Sequence, residues 1–341
     1  YELTGNTATD AGSYTMTVTG QGSFTGSVEI PWKIQPRRLA NANVTLGDSL
    51  TYNGREQTQA VASITVDGMD RALTEGVDFQ VSGNTGTDAG DYMLTVESAS
   101  SNFIGSADRP WSIAPKDISK ANVVTIDYAP LTYNGELQTP TGVTVIADGL
   151  NVTVDVAVTP QTDAGFHDMT VTGKDNFTGS KNLHWCINSK SIEGATVNLD
   201  KELTYNGQEQ TQTITSVTVD GLSVDYTVTG NTGTDADRYD IYLRGNGNFI
   251  GTWHDEWEIA KKDVTIENTA VESTKVYDGT TVATITNTGT LSDNYDGDGL
   301  QIVSGTAAYD NKNVGTGKTV TFTGFSLTGD QADNYRLVSQ P

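Results

Sequence analysis

The residues best suited to chemistry are few and scattered. The three histidines, His167, His184 and His254, stand far apart in the sequence, and no Gly-x-Ser-x-Gly, His-Glu-x-x-His or phosphate-cradling glycine loop occurs. With 43 acidic side chains, chance carboxylate pairs are inevitable, so no pair marks itself as an acid and its base. The sequence predicts no enzyme. One stretch has metal-ligand spacing, Asp293-Asn294-Tyr295-Asp296-Gly297-Asp298-Gly299, with oxygen ligands at alternate places as in a calcium loop. It lacks the distal glutamate of an EF-hand, and a solvated turn is the competing reading. If the loop takes calcium, Asp293, Asp296 and Asp298 are the expected ligands; no other cofactor is expected. Trp253-His254, beside Asp255 and Glu256, is the tryptophan that falls outside the regular spacing of the others. It offers the aromatic platform that glycan recognition uses, against packing onto the next module as the alternative.

The single cysteine, Cys186, excludes an intrachain disulfide and a cysteine zinc site, and strand alternation turns it toward a polar face as an incidental thiol. A Lys-Asn crosslink needs a buried lysine, asparagine and acid together, and nothing in the sequence identifies such a trio. The sequons at Asn43, Asn151 and Asn176 read most simply as turn and strand chemistry. A net charge of -23 repels phosphate backbones and anionic lipid, so neither nucleic acid nor an acidic membrane surface is an expected partner. No apolar run is long enough to span a bilayer, and none is expected to insert.

The positions that matter are repeated ones. Thr9-Asp10-Ala11-Gly12-Ser13-Tyr14 returns as Thr87-Asp88-Ala89-Gly90-Asp91-Tyr92, Thr162-Asp163-Ala164-Gly165-Phe166-His167 and Thr234-Asp235-Ala236-Asp237-Arg238-Tyr239, with the aspartates 78, 75 and 72 positions apart. That period is the size of a small module. Leu50-Thr51-Tyr52-Asn53-Gly54, Leu131 to Gly135 and Leu203 to Gly207 carry Asn-Gly, which predicts a tight hairpin turn. Glycine-flanked aromatic turns follow at Phe24, Phe103, Phe177 and Phe249, and closing strands end in Trp-x-Ile at Trp32, Trp111, Trp185 and Trp257. Period two places that Trp and Ile on one buried face, while Pro31 and Pro110 predict an edge or bulge just before it.

The repeats divide the chain into 1–35, a module without its front half; 36–114, 115–188 and 189–260, three complete modules; and 261–341, a variant without a closing strand. The chain thus reads as an excerpt. No segment has a sustained helical period, so the expected class is all-β. Linkers of a few residues predict modules end to end in a rod, at roughly 30–40 Å each.

Asp-Ala-Gly-x-Tyr-x-apolar resembles the entry to strand F of an immunoglobulin-type domain, where a tyrosine bonds back to the backbone and pins the corner. Tyr14, Tyr92, Tyr239 and Tyr335 fit that role, with His167 as a substitute. The ordered motifs of the first four modules resemble the MBG repeats of very large bacterial surface proteins. The fifth resembles the YDG repeat, through Val276-Tyr277-Asp278-Gly279-Thr280-Thr281, Asn313 to Lys318 and Ala332-Asp333-Asn334-Tyr335. The resemblance implies immunoglobulin-like β-sandwiches serving as stalk or spacer in an exported adhesin or fibre at the bacterial cell surface. The expected partners are neighbouring modules of the same chain. The alternatives are a module that binds a host glycan or protein, and homotypic assembly in which a strand from another chain completes the first module.

Overall fold

The computed structural model describes residues 1–341. The chain is all-β, interrupted only by single 3-10 turns at Leu39–Asn41, Ile118–Lys120 and Ala332–Asn334. Its contacts form two compact units. One comprises Tyr1–Pro130, Gln138–Gln161 and Phe166–Trp185; the other comprises Leu131–Leu137, Thr162–Gly165 and Cys186–Pro341.

Residues 36–114 show the plan in the first unit. The motif strand Gly90–Ser98 is bounded by Gly90 and alternates polar with apolar side chains, so Leu94 and Val96 are fully buried while Asp91 and Met93 face solvent. It pairs antiparallel with the closing strand Ser106–Ala114, in the register Tyr92↔Trp111, and on its other edge with Phe79–Ser82. Leu50–Thr51 lies parallel along the end of the closing strand, opposite Ile113 and Ala114. A second pair, Asn43–Leu46 with Val61–Thr65, contributes Val44 and Ile64 to a core shared with Leu94, Val96, Trp111 and Ile113. Trp111 and Ile113 are 5% and 1% exposed, which places the Trp-x-Ile pair inside. At Pro110 the closing strand has the motif strand as its one neighbour, opposite Met93, so the missing N–H breaks no ladder.

In the second unit, residues 189–260 repeat the arrangement. The sheet order is Leu203–Thr204, Thr252–Ala260, Arg238–Gly245, Tyr226–Thr229, with Ile241, Leu243, Trp257 and Ile259 buried. In the first unit, Glu2–Thr4, Gly12–Thr19 and Ser27–Ile34 form a three-stranded sheet with the same motif and closing strands.

The Asn-Gly turns differ from the expected hairpins. Asn53 Oδ1 accepts from Arg55 N at 2.9 Å and Gly54 takes φ +79°, so the chain does turn there. The flanking strands nevertheless diverge: Leu50–Thr51 joins the closing strand, while Gln57–Thr58 pairs with Thr85–Gly86. The two arms are taken up by different sheets, so the Asn-Gly turn links separate ladders instead of closing one.

Residues 260–341 vary the plan. Val320–Thr323 pairs with Thr306–Tyr309, which pairs in turn with Val282–Ala283, and Val320–Thr323 forms the edge of that sheet. Lys262–Val264 runs parallel to Tyr335–Leu337, as Arg37–Arg38 runs parallel to Phe103–Ile104.

Candidate functional site: the joint between successive repeats

The repeated aspartate motif begins as a corner. Tyr14 Oη donates to Asp10 O at 2.7 Å, Tyr92 Oη to Asp88 O at 2.7 Å and Tyr239 Oη to Asp235 O at 2.8 Å. Each ring lies against the cross-strand tryptophan, with centroids 5.0, 4.6 and 4.9 Å apart for Tyr14–Trp32, Tyr92–Trp111 and Tyr239–Trp257. His167 occupies the same place, 5.0 Å from the Trp185 ring. The indole N–H groups of Trp32, Trp111 and Trp257 donate to the carbonyls of Gly5, Gly83 and Gly230.

The aspartate and alanine of each motif also reach an asparagine far along the chain. Ala11 N donates to Asn102 Oδ1 at 2.5 Å, while Asn102 Nδ2 donates to Asp10 Oδ1 at 2.9 Å. The same two-way clasp joins Ala89 and Asp88 to Asn176 at 2.6 and 2.9 Å. It joins Ala164 and Asp163 to Asn248 at 2.7 and 3.0 Å, and Ala236 and Asp235 to Asn334 at 2.6 and 3.1 Å. In each case the asparagine belongs to the following repeat and immediately precedes its aromatic turn residue. An amide side chain suits this task, because its oxygen accepts from the N–H while its NH2 group donates to the carboxylate.

Two apolar contacts accompany the clasp. Tyr52 meets Phe177, Tyr133 meets Phe249 and Tyr205 meets Tyr335 edge to face, with centroids 5.3, 5.4 and 5.4 Å apart, a favoured aromatic geometry. A β-carbon on Gly54 or Gly135 would stand 2.8 Å from Cδ2 of Leu150 or Leu222, and both glycines have φ near +80°. The positive φ favours glycine at these turns, and a β-carbon would also push aside the end of the facing leucine. The clasp also accounts for part of the chain's division. Residues Leu131–Leu137 and Thr162–Gly165 carry Tyr133, Gly135, Asp163 and Ala164, whose partners Phe249, Leu222 and Asn248 lie in the same unit.

In the fourth joint, tyrosine replaces phenylalanine and a carboxylate is added. Asp298 Oδ2 accepts from Tyr205 Oη at 3.1 Å and from Tyr335 Oη, and Tyr295 N donates to Tyr335 Oη at 3.0 Å. Burial pushes the pKa of both phenols above the usual tyrosine range, and the hydrogen bonds to Asp298 add to the shift.

Several expectations change on this geometry. Tyr335 makes no corner of the Tyr239 kind. Asn334-Tyr335 occupies the place of Asn102-Phe103, and it is the clasp, not the spelling Ala-Asp-Asn-Tyr, that fixes the alignment. Asp293, Asp296 and Asp298 are not gathered as a set: no group of three His, Cys, Asp or Glu side chains is placed to hold a metal ion, and the Asp298 carboxylate is turned to two hydroxyls. Trp253 is half-buried, packed against the core of its own repeat with Leu243 and Phe249 and against the cluster that joins Ile241 and Trp257 to Val264 and Tyr335 of the next repeat, instead of forming an exposed platform. His254 lies on the outer face, stacked on Tyr242 at 4.6 Å and bonded to Asp240 at 2.9 Å. Lys318, Asn311 and Asp310, a trio the sequence did not single out, do come together, with Lys318 Nζ 2.6 Å from Asn311 Oδ1 and 3.8 Å from Asp310 Oδ1. Asn311 and Asp310 are exposed, and the contact fixes their loop. Phe24, in the aromatic-turn slot of the first repeat, is 78% exposed and follows Ser23 where the other repeats have asparagine.

The clasp asparagines were visible in the sequence only as neighbours of an aromatic residue, and Asn176 also as a sequon. Their function could not be read there, because each partner lies in the preceding repeat. No helix is long and apolar enough to cross a membrane. No curated protein matches the chain. Residues 260–341, the segment that carries Val276-Tyr277-Asp278-Gly279 and the clasp residue Asn334, match the family model described as the YDG domain.

Proposed function

We propose that the chain consists of stalk or spacer repeats of an exported bacterial surface adhesin or fibre, acting outside the cell by projecting or linking other parts of its parent. On this reading the modules are tandem immunoglobulin-like β-sandwiches in a rod, their partners are their own neighbours, and no catalysis or cofactor is involved. The observation that carries it is the joint, which recurs with the same Asp-Ala to Asn clasp four times. A binding module needs one divergent surface, whereas a spacer needs the same stiff connection at every step. The sheet order also supports the immunoglobulin-like reading. In residues 36–114 the first strand region splits, Asn43–Leu46 pairing with Val61–Thr65 and Leu50–Thr51 with the closing strand, beside a tyrosine corner.

Small-angle X-ray scattering of the chain tests the proposal. At about 30–40 Å per module, the wild type is expected to show a maximum dimension of roughly 150 Å, with Asn176→Ala/Asn248→Ala broadening the distance distribution. A compact particle, or a distribution unchanged by the double substitution, would count against a jointed spacer.

A further inference from the structure

The complete repeats differ at the position seven residues after the turn tyrosine. In residues 36–114 it is Gln59, 3% exposed, whose Nε2 donates to Ala60 O at 3.2 Å and to Asp48 O at 3.4 Å. In residues 115–188 it is the buried Pro140. In residues 189–260 it is Gln212, 5% exposed. Asn231 holds the Gln212 backbone from both sides, accepting from its N–H at 2.8 Å and donating to its carbonyl at 3.3 Å, as Asn84 holds Gln59. The side-chain amide of Gln212, unlike that of Gln59, bonds to no protein group.

A cleft of 490 Å³ opens beside Gln212, between the loop that follows Thr196–Leu199 and the end of the closing strand Thr252–Ala260. Its apolar part is Leu199, Leu203 and Trp257, side chains of the cluster that also holds Val264 and Tyr335. Asp200, Glu202 and Glu258 bring carboxylates to it, against the single cation Lys201. Glu258 is shared with Arg238 at 3.5 Å, whereas Asp200 and Glu202 are exposed and enter no ion pair. The matching loop in residues 36–114, Gly47-Asp48-Ser49, has one carboxylate and closes onto Gln59. A buried amide is ordinarily hydrogen-bonded, so one left open in a cleft marks a place for a ligand. Its oxygen and NH2 group complement the N–H and C=O of a peptide group. The carboxylates select positive charge, and the apolar wall suits the methylene stem of a long basic side chain.

We propose that this cleft is a recognition site for an arginine side chain presented by an extended segment of a partner protein. The guanidinium pairs with Asp200 and Glu202, its stem lies on Leu199, Leu203 and Trp257, and the segment's peptide group engages the Gln212 amide. Neither of the other complete repeats combines an open glutamine with an acidic loop, so the chain carries the site in residues 189–260 alone. The site holds whether or not the repeats serve as a stalk.

The test uses the full chain and the capped tripeptide acetyl-Ala-Arg-Ala-amide, with citrulline in place of arginine as the uncharged control of the same shape. Saturable binding is expected, with shifts in the NMR signals of the Gln212 side-chain amide and the Trp257 indole. The citrulline peptide is expected to bind at least tenfold more weakly. Asp200→Asn/Glu202→Gln, at exposed positions, is expected to weaken binding at least tenfold. Asp70→Asn/Glu75→Gln, which removes the same charge from exposed positions of residues 36–114, is expected to leave it unchanged. Gln212→Met, which keeps the bulk and loses the amide, is expected to weaken binding at least threefold. No saturation at millimolar peptide, equal affinity for the citrulline peptide, equal effects of the two charge-removing variants, or full binding by Gln212→Met would overturn the proposal. So would neutral saccharides that move the same two signals at lower concentration than the arginine peptide.

Discussion

Asn334→Ala removes the most deeply buried of the clasps. Asn334 is 4% exposed; it accepts from Ala236 N at 2.6 Å and donates to Asp235 Oδ1 at 3.1 Å and to Gln331 Oε1 at 2.5 Å. Alanine abolishes all three contacts and leaves the half-buried Ala236 N–H without its acceptor. A neutral hydrogen bond contributes about 1 kcal/mol, one to a charged group about 1.5–3 kcal/mol, and an orphaned buried donor costs about 1–3 kcal/mol. Water reaches the Asp235 side of the joint, which is exposed, and offsets part of the loss there. A net cost of about 2–3 kcal/mol remains, and it falls on the joint more than on either core.

Native-state hydrogen exchange separates these possibilities, because local opening free energies are read amide by amide. If Ala236 exchanges through opening of the joint, 2–3 kcal/mol corresponds to roughly 30- to 150-fold faster exchange. The equivalent amides of Ala11, Ala89 and Ala164 serve as internal controls, since their clasps use other asparagines. Asn334→Asp is the sharper comparison: it keeps an acceptor for Ala236 N but loses the Nδ2 donor and faces a second carboxylate toward Asp235. It is expected to be as damaging as alanine at pH 7. Unchanged exchange at Ala236 in both variants would refute the clasp as the element holding the joint.

Other consequences are checked more simply. Tyr92→Phe, which deletes the donor to Asp88 O, is expected to cost about 1 kcal/mol by chemical denaturation, while Trp111→Ala is expected to cost about 3–5 kcal/mol. Gly135→Ala, with φ +80° and a β-carbon 2.8 Å from Leu222, is expected to lose at least about 1 kcal/mol and to accelerate exchange at Ala164 in the same joint. The raised phenol pKa values of Tyr205 and Tyr335 make the fourth joint sensitive to alkali. Unfolded tyrosine ionises near pH 10, so the stabilisation is complete below that pH and is lost as pH rises toward the folded values; ultraviolet titration of Tyr335→Phe should lack the latest-titrating phenolate. Asp278 runs the other way, its pKa lowered to about 2 by the Thr280 N–H, Lys275 and the Thr280 hydroxyl. Its contribution is present above the ordinary carboxylate value and disappears as pH falls to about 2, and the Thr280 amide shift is expected to follow that fall.

What the sequence discloses is whatever repeats locally. Alternation in Gly90–Ser98 reveals the strand, Trp111 and Ile113 reveal the inward face, and Tyr92 reveals the corner, because each signal lies within a few residues of its consequence. The Asn53-Gly54 turn was legible as a turn but not in its connections, since the partner of Leu50 is Ile113. The joint was illegible for the same reason on a longer scale: Asn176 and Asp88 are both ordinary turn residues until their separation in sequence is closed. Tyr335 shows how local spelling misleads. Its neighbours resemble the corner motif, but its hydroxyl turns to Asp298, and Asn334 before it makes the clasp.

The clasp and the corner share one residue, and this couples stability along the repeats. Asp88 gives its backbone carbonyl to Tyr92 within its own repeat and its carboxylate to Asn176 in the next; Asp10 and Asp235 divide their oxygens in the same way. Unfolding one repeat therefore withdraws a preorganised carboxylate and N–H from its successor, as well as the edge-on tyrosine that covers the successor's aromatic turn. Nearest-neighbour terms of this kind are what make repeat arrays more stable together than apart. The coupling has a direction, because the successor offers separate side chains, an asparagine, an aromatic and a leucine, while the predecessor offers an entire corner. Loss of Asn176 should leave the Tyr92–Asp88 bond in place, whereas a substitution that collapses the Tyr92 corner should release Asn176 as well. Measuring exchange at Ala89 and at the amides around Asn176 in Asn176→Ala and in Trp111→Ala distinguishes this one-way dependence from a symmetric one.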